Sequence, residues 1–251
     1  MPVKHYQNFN SGIKVKRRPI RALLKLMLKL LVFGLIVFFL VLLLFRWVPI
    51  PTSAFIYQQN ALARQSPKVY EPAHYQWVSL EQISPNLAIA VIAAEDQRFA
   101  EHWGLDTIEI QQALADSRKD GKTPRGASTI TQQVAKNLFL WNGRSYSRKF
   151  LELALSFALE VVWSKERILE VYLNIAQFGD AIFGAKAASE RLFDKPPSEL
   201  SLEEAALLAA VLPKPAISDV NDPSPHTIKK QQWILKQVKQ LDGWHYLKKL
   251  K

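Results

Sequence analysis

A long apolar segment near the start of the chain sets the first limit on how this sequence can fold. Residues 20–45 are almost wholly apolar, and the run from Leu30 to Phe45 has no charged or polar side chain. This length can cross a bilayer with some tilt. A cleavable signal peptide is the alternative, but the run exceeds the about 7 to 15 apolar residues typical of one, and no Ala-x-Ala site follows. We therefore predict a transmembrane helix over 20–46, ending at Arg46-Trp47.

Positive charge is concentrated before this segment. Eight of the basic residues that give the chain its net charge of +11 precede Leu30, with no acidic residue among them. By the positive-inside rule, the basic tail 1–19 stays in the cytoplasm, and everything after about residue 47 lies on the opposite side of the plasma (inner) membrane. This excess indicates contact with anionic membrane lipids and argues against nucleic acid as a partner. The basic residues are Lys4, Lys14, Lys16, Arg17, Arg18, Arg21, Lys25 and Lys29.

The remaining length suits one domain. After a Pro- and aromatic-rich juxtamembrane linker over 47–78, residues 79–251 are enough for a single core. The chain has no cysteine, so neither a disulfide framework nor a thiolate metal site is expected.

Helix signals follow one another through this domain, and no run of alternating strand residues stands out, so we predict a mostly α fold. Ser-Pro, Ser and capping-box signals open the helices. The last helix repeats apolar residues at Ile228, Trp233, Ile234, Leu235 and Val238. The predicted helices cover 85–98, 107–118, a segment capped by Ser128, 148–163 capped by Ser147, 165–176 capped by Ser164, a buried helix around 205–210 after Ser201, and 227–241.

Two adjacent carboxylates end the first of these helices. Glu95 follows an apolar run, and Phe99 lies four residues further on, on the same helix face. Apolar surroundings disfavour the charged carboxylate and bring its pKa closer to neutrality, which suits a general base. Asp96 points about 100° away on a helix, so we expect it to orient neighbouring groups, with direct contact to a bound substrate as the alternative. Without further context, a solvated acidic patch would explain the same residues.

A polar helix forms the second candidate element. Ile130, Val134 and Leu138 make one apolar stripe, while the opposite face carries residues able to bind a polar ligand. A basic cluster lies close by in sequence and suits an anion, although a solvated face is the simpler alternative. The polar candidates are Ser128, Thr129, Gln132, Gln133 and Asn137, and the basic ones are Lys136, Arg144, Arg148 and Lys149.

Four ordered motifs resemble the signatures of the peptidoglycan glycosyltransferase family, and the chain is similar to its monofunctional members. These motifs span about 80 residues in the order expected. They are Glu-Asp-x-x-Phe-x-x-His-x-Gly from Glu95, Gly-x-Ser-Thr-Ile-Thr-Gln-Gln from Gly126, Arg-Lys-x-x-Glu from Arg148, and Lys-x-x-Ile-Leu-Glu-x-Tyr-Leu-Asn from Lys165. One departure is Leu192-Phe193, where the family usually has Tyr-Phe.

The resemblance implies a lysozyme-like helical domain with a small membrane-facing lobe, expected between about 105 and 147. It also implies an enzyme that polymerises lipid II into β-1,4 glycan strands with inversion and release of undecaprenyl pyrophosphate. Glu95 is then the general base and Glu152 a second catalytic acid. Phe99 shapes the wall of the substrate site, and the basic cluster steadies the leaving pyrophosphate. Glu152 either holds Arg148 or shares a divalent cation, Mg²⁺ or Mn²⁺, with the pyrophosphate; no organic cofactor is expected.

Two other functions remain open at this stage. A lysozyme-like hydrolase would also use a glutamate, although the basic cluster favours a pyrophosphate leaving group over a glycosidic one. A non-catalytic scaffold could use the polar helix to bind cell-division or wall-assembly proteins. A penicillin-binding activity is not expected, because the sole Ser-x-x-Lys lies in the tail, at Ser11 to Lys14.

Overall fold

A computed structural model of the chain describes residues 18–120, 128–143 and 145–251. Two compact units make up the chain: the first ends at Leu42, and the second runs from Leu43 to Lys251. The basic tail 1–17, most of the 119–127 loop and Arg144 lie outside the described residues.

The N-terminal helix α1, Arg18–Leu44, contains the apolar segment. Its stretch Arg21–Leu44, 24 residues long, is apolar enough to cross a membrane, and it is the one such helix among the described residues. At 1.5 Å per residue this stretch is about 36 Å long, slightly more than the hydrocarbon core of a bilayer. Most of its described side chains are exposed, as contact with lipid requires.

The second unit is mainly helical, which confirms the predicted fold class. Its helices and strands are α2 Ala54–Gln65, β1 His74–Tyr75, α3 Pro85–Glu95, α4 Thr107–Asp120, α5 Ile130–Phe139, α6 Tyr146–Val162, α7 Lys165–Ile175, β2 Gln177–Gly179, β3 Ile182–Phe183, α8 Gly184–Phe193, α9 Leu202–Val211 and α10 Pro225–Gln240, followed by a 3₁₀ segment, Gly243–Leu250.

Helix α3 is the centre of this unit. Its residues from Leu87 to Ala93 are all buried, so the helix is enclosed on every side. It packs against α9 and α10, while α5 packs against α6 and α7. The apolar residues of α9 from Ala205 to Ala210 are mostly buried, which confirms the buried helix predicted there. Because α3 is fixed so firmly, its last residue, Glu95, has a well-defined position.

The fourth motif serves mainly to hold elements together. Asn174 on α7 pairs with the backbone of Val78 through both its amide atoms, at 2.9 and 2.8 Å. Arg167 binds Glu170 at 2.6 Å and donates to the carbonyl oxygens of Phe45 and Val48, just after α1. These contacts fix the start of the second unit to α7.

Several boundaries differ from the prediction. The segment interpreted as a linker contains α2, whose N-cap Ser53 accepts a hydrogen bond from the amide of Ile56. Thr129 caps α5 instead of Ser128, and Ser145 caps α6 instead of Ser147. In each case both residues have a hydroxyl that can accept a hydrogen bond from an amide of the first helical turn, so the sequence alone does not decide which of them is the N-cap.

A small sheet was not predicted. Its strand order is β1-β3-β2, with β1 parallel and β2 antiparallel to β3. Strands of two or three residues are too short to show an alternating pattern in the sequence.

Candidate active site

The site lies where α3 ends. A cavity of about 350 Å³ opens here, and its wall includes the C-terminal turn of α3, the start of α5 and one residue of α10. The side chain of Glu95 is 16% exposed, so it is reachable from this cavity while being mostly surrounded by protein. The lining residues are Ala93, Ala94, Glu95, Asp96, Gln97, Arg98, Asp106, Glu109, Ser128, Thr129 and Trp233.

Burial raises the pKa of the Glu95 carboxyl above its ordinary value. Three groups oppose this effect: a hydrogen bond from Gln133 and the positive charges of Lys230 and Lys136, all of which lower the pKa. The Nε2 of Gln133 donates to Oε2 of Glu95 at 2.7 Å, and the Tyr172 hydroxyl donates to Oε1 of the same amide at 3.2 Å. The buried tyrosine thus fixes which end of the Gln133 amide faces the carboxylate.

Asp96 organises the wall of the cavity. Its Oδ1 lies 2.9 Å from Nε2 of His102, and its Oδ2 accepts the backbone amide of Ile130 at 2.9 Å. A carboxylate at the first amide of α5 is also favoured by the helix dipole. Both oxygens therefore have partners within the protein, and Asp96 joins α3 to the start of α5.

The start of α5 is built around one backbone carbonyl. The oxygen of Gly104 accepts hydrogen bonds from Thr129 Oγ1 at 2.7 Å and from Gln132 Nε2 at 3.2 Å. Gly104 has a φ of 70°, which favours glycine, and a Cβ there would lie 3.3 Å from the side chain of Glu160. This explains why the first motif ends in glycine and the second contains Thr129 and Gln132.

The third motif forms a connected cluster of charges on α6. Glu152, whose side chain is 4% exposed, accepts from Arg148 at 2.7 Å and from Lys149 at 2.5 Å. Lys149 also donates to Gln132 at 2.9 Å and to Ser128 at 3.2 Å. Since Ser128 lines the cavity with Glu95, its contact with Lys149 brings the cluster to the edge of the same cavity, although Arg148, Lys149 and Glu152 are not among the lining residues.

Lys136 adds positive charge between the two acidic residues. Burial lowers the pKa of its ammonium group, and Glu152 and Glu95 both raise it. None of the ion pairs within 4 Å among the described residues includes Lys136. Its Nζ lies 5.4 Å from the centre of the Phe55 ring on α2. A partly desolvated lysine without a carboxylate partner is suited to bind an anion.

Phe99 and Asn137 are among the sequence candidates that do not line the cavity. Phe99 is fully buried, with Nζ of Lys165 4.4 Å from its ring centre, so it supports the wall from behind. Asn137 is also buried, and its Oδ1 has no hydrogen-bond partner among the described residues.

Comparison with known proteins identifies the family. Residues 60–239 match the family model described as Transglycosylase. The chain belongs to the transglycosylase family. It is 49% identical over 229 residues to a biosynthetic peptidoglycan transglycosylase of Citrobacter koseri, an alignment that covers 91% of this chain and 95% of that protein. Proteins of the same name from Salmonella schwarzengrund and Escherichia coli O1:K1 / APEC are 52% and 54% identical, covering 81% and 80% of this chain and 84% and 83% of theirs.

The family resemblance inferred from the four motifs is thereby confirmed, and with it the prediction of a glycosyltransferase. All the candidate site residues, from Glu95 to Glu152, lie inside the part of the chain that the transglycosylase model matches.

Helix α10 adds residues to the candidate site of this transglycosylase that sequence reasoning missed. Nζ of Lys230 lies 4.0 Å from Oε1 of Glu95, and Trp233 lines the cavity. Trp233 was assigned to the packing face of α10, but it is 43% exposed, whereas Ile234 and Val238 are buried. At 100° per residue, Trp233 lies about 100° from Ile234 around the helix. This offset was the sequence signal that Trp233 lies beside the packing stripe of α10 and not on it.

The residues present do not favour a divalent cation in this arrangement. Asp96, His102 and Asp106 offer ligand atoms within 4.8 Å of one another, but the Asp96 oxygens have the partners described above. Asp106 accepts from Arg98 at 3.1 Å and from two amides of α4, so a cation would meet a guanidinium group. Glu152 is outside this group, and both its oxygens face cations. Mg²⁺ or Mn²⁺ would need free oxygen ligands.

Proposed function

We propose that this chain polymerises lipid II, a lipid-linked disaccharide-pentapeptide, into the β-1,4 glycan strands of peptidoglycan. The reaction inverts the anomeric carbon and releases undecaprenyl pyrophosphate. The observation that carries the proposal is the pairing of a mostly buried glutamate, Glu95, with a basic cluster at the edge of the same cavity. Membership of the transglycosylase family and the names of its relatives support the same reaction.

Glu95 acts as the general base. The sugar hydroxyl attacks the anomeric carbon while its proton passes to the Glu95 carboxylate, and the new glycosidic C–O bond forms as the bond to pyrophosphate breaks. Burial raises the pKa of Glu95, which strengthens it as a proton acceptor, and the Gln133 hydrogen bond keeps it ionised and oriented. The proton then leaves to solvent, and one displacement with no covalent intermediate inverts the anomeric centre.

The basic cluster receives the leaving pyrophosphate together with the bonding electron pair. Lys136 has no carboxylate within ion-pair distance among the described residues, and Arg148 and Lys149 are held in place by Glu152. Cations fixed where negative charge develops stabilise the transition state. Glu152 therefore acts by positioning the basic pair, and Arg144, which lies outside the described residues, is the fourth member predicted from the sequence. Ser128, Thr129, Gln132 and Gln133 complete the polar side of the site, whereas Asn137 is buried and does not line the cavity.

The enzyme is anchored in the plasma (inner) membrane by α1, with its N-terminus in the cytoplasm and the catalytic domain outside it. The charge asymmetry around α1 supports this orientation. Placement beside the outer leaflet brings the domain to a substrate whose sugar is already activated by a lipid pyrophosphate. The growing glycan strand and membrane lipids are the remaining direct partners, and cell-division or wall-assembly proteins are expected ones.

A polymerisation assay with purified full-length protein tests this function. Labelled lipid II should be converted to long glycan, and Glu95→Gln should lose about 10²- to 10⁴-fold in rate. Glu203→Gln is the matched control, because Glu203 is exposed at the start of α9, away from the lining of the cavity. A Glu95→Gln protein that polymerises at the wild-type rate would refute the proposal and favour a scaffold.

Two further measurements separate the other functions. A hydrolase would shorten purified glycan and leave lipid II unused, whereas we expect the reverse. Labelling with a fluorescent penicillin should be absent, since no penicillin-binding motif accompanies the site; covalent labelling would contradict a purely glycosyltransferase activity.

A further inference from the structure

Helix α10 presents a row of side chains to the cavity that the proposed chemistry does not use. Lys230 approaches Glu95 at 4.0 Å, and Oε1 of Gln237 accepts from Nε2 of Gln97, itself a lining residue, at 3.1 Å. Trp233 lies between them in sequence and lines the cavity directly. Lys230, Trp233 and Gln237 fall within about 60° of arc on the helix, next to the buried stripe of Ile234 and Val238. Helix α10 therefore packs with one stripe and faces the cavity with the neighbouring one.

Trp233 differs from its surroundings in this cavity. Among the described lining residues it is the sole aromatic one, and apart from two alanines the rest are polar or charged. Its large apolar ring is 43% exposed, so it offers a hydrophobic surface to a ligand in the cavity. The walls around it carry hydrogen-bonding groups, so a purely apolar chain such as a prenyl or acyl tail would strand those groups without partners.

A sugar ring matches this mixture of surfaces. A pyranose has hydroxyl groups around its edge and C–H bonds on its faces, so one face can lie on an indole ring while the edge binds polar side chains. Pockets that fix a ligand in this way combine aromatic surface with a few placed polar groups. Gln97, just after α3, lines the cavity and donates to Gln237, and Nζ of Lys230 on α10 lies 4.0 Å from Oε1 of Glu95.

Resting on the proposed polymerase function, we infer that Trp233 is a sugar-stacking residue for the saccharide that presents its hydroxyl to Glu95. Trp233 and Glu95 line the same cavity, and Lys230 of the same helix reaches Glu95. The basic cluster meets the cavity at Ser128, just before α5, so the leaving group is held by a different part of the chain from the one that holds this sugar. Helix α10 thereby orients the attacking sugar, and the basic side chains of α5 and α6 orient the pyrophosphate.

Kinetics on lipid II give the first test. An aromatic contact is worth about two- to tenfold in affinity, so Trp233→Ala should raise KM by about that factor and lower kcat less. Trp233→Phe keeps an aromatic face and should recover most of the loss. Trp244→Ala is the matched control, because Trp244 is also exposed but lies outside the cavity, stacked on His245.

A binding measurement gives the second test without turnover. Full-length Glu95→Gln protein labelled with 5-fluorotryptophan shows one ¹⁹F resonance for each of its seven tryptophans, and Trp233→Phe identifies the signal of Trp233. On addition of lipid II, the Trp233 resonance should shift and the Trp244 resonance should stay in place.

The inference and the function fail in different ways. If the wild type polymerises lipid II but Trp233→Ala keeps the wild-type KM, or the Trp233 resonance does not move at lipid II concentrations well above KM, the stacking role is wrong and the polymerase function stands. If the wild type does not polymerise lipid II, the proposed function itself fails, irrespective of Trp233.

Discussion

The hydrogen bond from Gln133 to Glu95 makes a quantitative prediction about pH dependence. The bond is 2.7 Å long and lowers the pKa of a carboxyl that burial raises. Gln133→Ala removes this opposition, so the pKa of Glu95 should rise further. Because a general base must be ionised to work, the acid limb of the rate profile should move to higher pH.

The size of the shift follows from the strength of the bond. A hydrogen bond to a charged group contributes about 1.5 to 3 kcal/mol, and 1.36 kcal/mol corresponds to one pH unit. Glu95 is 16% exposed, so water can replace part of the lost interaction. We therefore expect a shift at the low end of the range, about one pH unit.

The assay is kcat/KM for lipid II polymerisation between about pH 5 and pH 9, compared at the midpoint of the acid limb. Gln133→Ala also leaves the buried Tyr172 hydroxyl without its acceptor, so stability should fall by about 1 to 3 kcal/mol. Tyr172→Phe is the control, because it removes the tyrosine hydroxyl but keeps the amide beside Glu95. A folded Gln133→Ala enzyme whose acid limb stays in place, or moves to lower pH, would show that Glu95 is not the titrating base.

Three further substitutions test other parts of the structure. Glu95→Gln should raise Tm near neutral pH. A carboxyl whose pKa is raised in the folded protein destabilises the fold at every pH above the pKa that it has in the unfolded chain, so the advantage of glutamine should disappear below the ordinary glutamate pKa. An equal Tm of the two proteins at all pH values would contradict this. Glu152→Gln should lower the free energy of unfolding by about 2 to 4 kcal/mol, as measured by denaturant unfolding. The loss should be smaller than for a fully buried ion pair, because the side chain of Lys149 is 42% exposed. Gly184→Ala should cost more than about 2 kcal/mol, since its Cβ would lie 2.4 Å from the carbonyl oxygen of Asn174 at a φ of 84°; a wild-type melting curve would refute this.

The sequence predicts those parts of the fold that depend on local signals. Periodic apolar residues and capping signals place α3 to α7, α9 and α10 to within a few residues, and the apolar run gives α1, but α2 and α8 were not predicted. Glu95 could be singled out because it follows a segment that is apolar on every side. The three short strands leave no such signal, because their pairing depends on residues distant in the chain, such as His74 and Ile182.

The electrostatics of the site follow from tertiary contacts that the spacing of residues along the sequence does not reveal. Arg148 and Glu152 are four residues apart on one helix, so their ion pair was one of the two roles predicted for Glu152. The contact of Lys149 with Ser128, and that of Lys230 with Glu95, join residues separated by more than twenty positions. The angular offset of Trp233 from Ile234 places it off the packing stripe, but that it faces the same cavity as Glu95 depends on the position of α10 beside α3.

The central claim is that the base and the basic cluster act on one substrate across a single cavity. A structure of full-length Glu95→Gln protein with a pyrophosphate-linked substrate bound measures this most directly. We predict phosphate oxygens within hydrogen-bond distance of Lys136, Arg148 or Lys149, and a sugar hydroxyl facing residue 95 next to the ring of Trp233. Phosphates bound elsewhere, with the basic cluster free and residue 95 out of reach of any sugar, would contradict the account.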